Sequence, residues 1–238
     1  LRRFAAVGEV ILVHDPRTLT GTGTADAKPN ASVVYVVDDD DSMRFAVSNL
    51  LRSVGLQVEA FASAQEFLDC PKSNVPSCLI LDVRLRQESG LALQEDMARG
   101  GLRIPVLFMT GHGDIEMSVR AMKAGAVDFL TKPFRDQDML DAVTSALARD
   151  NERLAHEQSK ADVTRSYASL TPREKEVMGH VVAGLMNKQI AAEMNLSEIT
   201  VKIHRGQLTK KMGSRSVADL VRKAEALGIR PDVDHKTK

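Results

Sequence analysis

Residues 33–54 read VVYVVDDDDSMRFAVSNLLRSV, and this stretch decides the fold. A run of β-branched and aromatic residues suits a strand, and the acidic cluster Asp38–Asp41 ends it. A helical stretch, Ser42–Val54, follows. The alternation then repeats. Strands are expected at Val33–Val37, Gln57–Phe61, Cys78–Leu81, Pro105–Met109 and Asp128–Leu130. Helices are expected at Ser42–Val54, Ser63–Asp69, Gly90–Arg99, Ile115–Ala124 and Arg135–Arg149, with a capping box in Ser63-Ala64-Gln65-Glu66. Several strands are nearly continuous apolar runs, as strands covered on both faces should be. Five βα units in this order imply an α/β doubly wound five-stranded parallel sheet, whose working crevice lies at the carboxyl ends of its strands.

Outward from this core, the chain of 238 residues has room for a second, smaller domain. After residue 150 the strands stop. Thr171–Ala183, Asn187–Met194, Glu198–Met212 and Ser216–Ala226 read as four helices, a small all-α helix-turn-helix domain over residues 168–230. The polar stretch 151–167 between the domains carries no turn signal and reads as a helical linker. Residues 1–31 stand apart, as a flexible tail or as translated sequence upstream of the real start. Their opening LRRFAAVGEVILVHD has two arginines and an apolar run, but Glu9 interrupts the run and no cleavage site follows. Residues 231–238 read as a flexible tail.

The formal net charge of zero hides an asymmetry. Residues 31–150 carry 18 acidic against 12 basic side chains, and residues 168–230 carry 11 basic against 6 acidic. That division suits a protein whose second half alone meets nucleic acid. No apolar run approaches the ~18–20 residues that span a bilayer. Cys70 and Cys78 make no metal pattern and suggest a reducing compartment, so a cytoplasmic location is expected.

The chemistry gathers at the strand ends. The first strand ends in Asp38-Asp39-Asp40-Asp41, the third in Asp82, the fourth in Thr110 and the fifth in Lys132-Pro133. Taken singly these residues read as a solvated loop, a helix cap, a β-former and a turn. Together they bring carboxylates, a hydroxyl and an ammonium to one rim. Oxygen-only ligands suit Mg²⁺. A carboxylate beside such a cation can become an aspartyl phosphate, and the lysine and hydroxyl can hold the phosphoryl oxygens.

The segments VVDDDDSMR, LILDVRLRQESG, LFMTGHGD and AMKAGAVDFLTKPF resemble, in order and spacing, the receiver domain of two-component response regulators, and the FixJ-like group in particular. The resemblance implies that Asp82 is the phosphoacceptor. It implies that Asp38, Asp39, Asp82 and the Arg84 backbone carbonyl hold Mg²⁺, with Thr110 and Lys132 on the phosphoryl group. It places Phe129 at an aromatic switch position and makes the bond before Pro133 cis. One departure stands out. Family members commonly have Met-Pro where this chain has Leu85-Arg86, which leaves the Arg84 carbonyl in place but alters the loop beyond it. A phosphohydrolase also forms an aspartyl phosphate, but such enzymes commonly need a second carboxylate two residues on, where this chain has Arg84. The chain is therefore not read as an enzyme.

In the second domain, Thr171-Pro172-Arg173-Glu174 combines a capping box with proline at the first helical position. Gly184 marks a turn, and Ser197 caps the next long helix. At 100° per residue, Val201, Leu208 and Met212 fall on one side of Glu198–Met212, and Lys202, Ile203, Gly206 and Lys210 fall opposite. That outer face suits a recognition helix in the major groove. Lys202 could meet guanine edges or a phosphate, and Ile203 a thymine methyl. His204, Arg205, Lys210 and Lys211 are read as phosphate or surface contacts.

The segment LTPREKEVMGHVVAGLMNKQIAAEMNLSEITVKIHRGQLTKKMG is similar to the LuxR-type DNA-binding domain. By matching position, Lys202, Ile203 and Gly206 face the bases, while Asn187, Lys188 and Thr200 approach the backbone. The two resemblances together imply a phosphorylation-switched transcription regulator. Its implied partners are a sensor histidine kinase, double-stranded DNA with a roughly palindromic site, RNA polymerase and a second copy of itself, with no membrane.

Overall fold

The computed structural model describes residues 32–86, 89–111 and 115–229. The expected extension over residues 1–31 and tail over 231–238 lie outside the described residues. Five strands, β1 (Val33–Val37), β2 (Gln57–Phe61), β3 (Ser77–Asp82), β4 (Val106–Thr110) and β5 (Asp128–Thr131), form one parallel sheet in the order β2-β1-β3-β4-β5. The expected α/β class is the observed one. β1, β3 and β4 are buried along their whole length, whereas β2 and β5 lie at the edges and are partly exposed. This is why the central strands read as unbroken apolar runs.

Because side chains alternate across a strand, each central strand feeds two cores. Tyr35, Val37, Leu79, Leu81 and Phe108 face one side, against Phe67 of α2 (Ala64–Asp69), Leu93 and Met97 of α3 (Gly90–Arg99) and Ala121 of α4 (Ile115–Lys123). Val34, Val36, Ile80, Leu107 and Met109 face the other, against Val47 and Leu51 of α1 (Asp41–Ser53) and Met139, Ala142 and Val143 of α5 (Asp136–Ala168). Ser63 caps α2 by accepting from the Glu66 N–H at 3.2 Å. The Glu66 carboxylate reaches back one residue further than a capping box requires, to the Ala62 N–H at 2.9 Å.

α5 is one unbroken helix of 33 residues and includes the polar stretch 151–167. No glycine or proline interrupts it, and its exposed length carries pairs spaced for a helix, such as Arg153 with Glu157 and Gln158 with Asp162. Asp150 is a buried carboxylate at the start of this stretch. It accepts from the Ser77 N–H at the beginning of β3 and from Arg153 Nε, each at 2.8 Å.

Four shorter helices follow: α6 (Pro172–Val182), α7 (Asn187–Met194), α8 (Glu198–Lys211) and α9 (Val217–Ala226). They share a third core of Val177, Met178, Ile190, Val201, Leu208 and Leu220, against which Val163 and Tyr167 of α5 also pack. The Thr171 box is complete: its hydroxyl accepts from the Glu174 N–H, and Glu174 accepts from the Thr171 N–H. Gly184 makes the expected turn with φ +86°, a conformation that side chains resist. Among the described residues no helix is long and apolar enough to cross a membrane.

Candidate functional site

α1 and α3 pack on opposite faces of the sheet, although the strands that precede them, β1 and β3, are neighbours. Loops leaving adjacent strands in opposite directions open a crevice at the strand ends. The register that pairs Val37 with Leu81 sets Asp38 and Asp82 side by side there. Lys132, just past β5, reaches across to both. Its ammonium donates to Asp38 Oδ2 at 2.8 Å and to Asp82 Oδ2 at 2.6 Å. Thr110 ends β4 between them and is buried, and its carbonyl accepts from the Lys132 N–H at 2.6 Å. The Lys132–Pro133 bond is cis.

The remaining carboxylate oxygens of the pair are also engaged. Asp38 Oδ1 accepts from the Asp40 N–H and Asp82 Oδ1 from the Arg84 N–H, both at 2.8 Å. Burial raises the Asp38 carboxyl above its ordinary pKa, more than the Lys132 and Asp40 hydrogen bonds lower it, and Asp82 adds to the rise. For Lys132, burial is the largest single influence and lowers its pKa. The hydrogen bonds and charges of Asp38 and Asp82 together outweigh it, so the ammonium is held above the usual lysine range.

The rest of the acidic run divides by role. Asp39 Oδ2 accepts from Arg86 Nε at 2.9 Å, which links the loop after β1 to the loop after β3. Asp40 is the N-cap of α1 and accepts from the Ser42 and Met43 N–H groups; these bonds lower its pKa. Asp41 is exposed and pairs with Arg44, whose guanidinium also holds the Asp38 carbonyl at 2.6 Å. From the sequence, Asp40 stands only as part of the acidic run, and its role is the N-cap. The signal that identifies it is an aspartate directly before the first helical residue, the preferred N-cap type.

The site can accommodate Mg²⁺ by the chemistry of its donors. Asp38, Asp39 and Asp82 offer only oxygen. No preformed cage of three or more His, Cys, Asp or Glu side chains exists among the described residues. Such oxygen donors suit a small, strongly hydrated cation that keeps several of its waters. Phe129 lies on the edge strand β5, half-buried against the first core and in register with Phe108.

On α8, Val201, Leu208 and the following Met212 are buried, while Lys202, Ile203, Gly206 and Lys210 are exposed, as the helical periodicity predicts. Lys188 at the start of α7 is exposed too. Other residues of the expected interface are engaged within the protein. Arg205 is half-buried, with its guanidinium on Asn187 Oδ1, so it ties α8 to the start of α7. Thr200 shares a hydrogen bond with the Ser197 hydroxyl at 2.8 Å, and His204 is half-buried.

Residues 34–144 match the response regulator receiver domain, and residues 168–224 match the bacterial regulatory proteins of the luxR family. The chain is 52% identical to Nodulation protein W of Bradyrhizobium diazoefficiens, over 92% of this chain and 96% of that protein. It is 39% identical to the transcriptional regulatory protein FixJ of Azorhizobium caulinodans, over 87% of this chain and 98% of that protein. The solved structure of the response regulator StyR is 44% identical, covers 82% of this chain and 99% of its own, and superposes with a TM-score of 0.76. The chain belongs to the response regulators, the DNA-binding transcription regulators of two-component systems, and joins a receiver domain to a LuxR-type DNA-binding domain. That pairing implies a histidine kinase and DNA as partners, and a signalling role rather than that of a classical enzyme.

Proposed function

We propose that Asp82 accepts a phosphoryl group from a sensor histidine kinase, and that the modified chain dimerises and binds a roughly palindromic promoter site. An Asp82 carboxylate oxygen attacks the phosphorus of the kinase phosphohistidine. The P–N bond breaks, its electron pair leaves with the imidazole nitrogen, which takes up a proton from water, and Asp82 becomes an acyl phosphate. Asp38, Asp39, Asp82 and the Arg84 carbonyl would hold Mg²⁺, which would neutralise charge on the transferring phosphoryl oxygens.

Lys132, which now bridges Asp38 and Asp82, follows the negative charge to a phosphoryl oxygen. The Thr110 hydroxyl takes another. Its inward movement makes room for Phe129 to turn in, and the face of α4 and β5 changes with it. That face carries the exposed side chains Val119 and Met122, which suit a second copy of the chain. Two copies present two recognition helices, hence a two-fold symmetric site. Lys202 and Ile203 read bases, while Gly206 offers no side chain. Asn187, Lys188, Thr200, His204, Arg205 and Lys210 form the backbone-contacting surround, with Arg205 acting chiefly through Asn187. Contact with RNA polymerase is the output step, and the protein works in the cytoplasm.

The observation that carries this reading is the Lys132 ammonium shared between two buried carboxylates at adjacent strand ends. Footprinting of the wild type and Asp82→Asn, each with and without a phosphodonor, tests it. Wild type should gain DNA affinity on phosphorylation, and Asp82→Asn should not. Equal affinity in all four conditions overturns the switch.

A further inference from the structure

The loop after Asp82 departs from the family pattern at Leu85-Arg86, and the structure gives that departure a place. Leu85 packs against the first core and anchors the backbone. Arg86 then extends across a groove of about 820 Å³, lined in part by Asp39, Asp41, Ser63, Glu66 and Leu85. Its side chain is 79% exposed but ends on Asp39, which is only 25% exposed. Two carboxylates of the crevice, Asp38 and Asp82, share the ammonium of Lys132. The third, Asp39, therefore has a cation of its own from the protein.

We propose that Arg86 competes with the divalent cation for Asp39 and so sets the cation affinity of this receiver. The inference rests on the reading of Asp38, Asp39 and Asp82 as the cation site. Arg86 occupies Asp39 Oδ2, so a divalent cation on Asp39 either displaces the guanidinium from that oxygen or sits beside its positive charge on the other, and in both cases the Arg86 pairing is weakened. The cost is bounded by what exposed ion pairs contribute. Removing Arg86 should tighten cation binding by between about 1.5-fold and 5-fold at low salt, and less as salt rises. Arg86 is a positioning residue in this scheme, acting through Asp39 and never touching the phosphoryl group.

The test uses the full chain and Mn²⁺ as a spin-active probe, with unbound Mn²⁺ counted by electron paramagnetic resonance and its displacement by Mg²⁺ confirmed. Four proteins are compared: wild type, Arg86→Gln, Asp39→Asn and the double variant. Arg86 is exposed, so unchanged circular dichroism is the fold control. Arg86→Gln should bind Mn²⁺ more tightly than wild type, and the same change in the Asp39→Asn background should add nothing. Equal affinity of wild type and Arg86→Gln overturns the proposal. So does an equal gain in both backgrounds, since that marks a diffuse field rather than a pairing. If Asp39→Asn fails to weaken binding in the Arg86→Gln background, the cation site itself is misassigned and the proposal falls with it.

Discussion

Gly90 holds Asp82 in place by having no side chain. It opens α3 against the last residue of β3, and a Cβ there would fall well inside the Asp82 carbonyl oxygen while also pressing on Leu81. The obstacle is backbone, so relief requires moving the strand end that carries the carboxylate. Gly90→Ala should cost about 1–3 kcal/mol, as overpacking does, and it should lower phosphate uptake. Urea unfolding and the fraction modified by a small phosphodonor are the two readouts, and wild-type values in both would refute the strain. The residues proposed to do the chemistry were legible because each stands where a strand stops: Asp38, Asp82, Thr110 and Lys132. Gly90 was not, since a glycine before a helical run looks like an ordinary helix start. Asp150 was hidden for a related reason. It opens a polar stretch that reads as solvated, and the Ser77 N–H that buries it lies 73 positions away.

Element ends were mostly legible, and the places where they were not show what local pattern leaves out. α7 was expected to start at Asn187 and does, but its N-cap, Met186, has no side-chain oxygen to offer. Gln189 still accepts from the Met186 N–H at 2.8 Å, so half of a capping box is present and the return bond is missing. Met186 is 67% exposed, so its own packing is a small loss. Met186→Ser should stabilise the DNA-binding domain by about 0.5–2 kcal/mol, seen as a higher melting temperature for that transition.

α6 carries a second consequence of capping. Lys211 donates to both Glu174 oxygens, at 2.9 and 2.7 Å, and this contact with the Thr171 N–H bond lowers the Glu174 pKa below its ordinary value of 4.5. A carboxyl whose pKa is depressed on folding adds stability that is full above its unfolded value and fades as pH falls through the folded one. The stability advantage of wild type over Glu174→Gln should therefore be constant near neutral pH. It should begin to shrink below about 4.5 and continue to shrink toward the lower, folded value. Paired denaturation curves across that range measure it, and a flat difference would mean the ion pair contributes nothing.

At the scale of the whole molecule, α5 joins the two activities. Its 33 residues extend about 50 Å, from packing under the sheet to packing against the DNA-binding core. The acidic receiver and the basic second domain were legible in the sequence as separate blocks of charge. Their joint was legible as a helical linker only from the lack of any turn signal over residues 151–167, because an exposed polar helix has no apolar stripe to announce it, and the structure makes it one helix with the end of the receiver. Its middle is exposed from Ala155 to Asp162, so helix there is held by backbone bonds and side-chain pairs alone. Lys160→Pro removes the bond to the His156 carbonyl and costs about 3 kcal/mol or more in a stretch with no core to lose. Both domains should stay folded, with phosphate uptake at Asp82 and basal DNA affinity unchanged. What should fall is the gain in DNA affinity on phosphorylation, because a kinked joint lets each domain move without the other. Footprinting the variant with and without a phosphodonor reads this directly. An undiminished gain would place the coupling in the face of α4 and β5, acting through dimerisation with no need of a stiff linker.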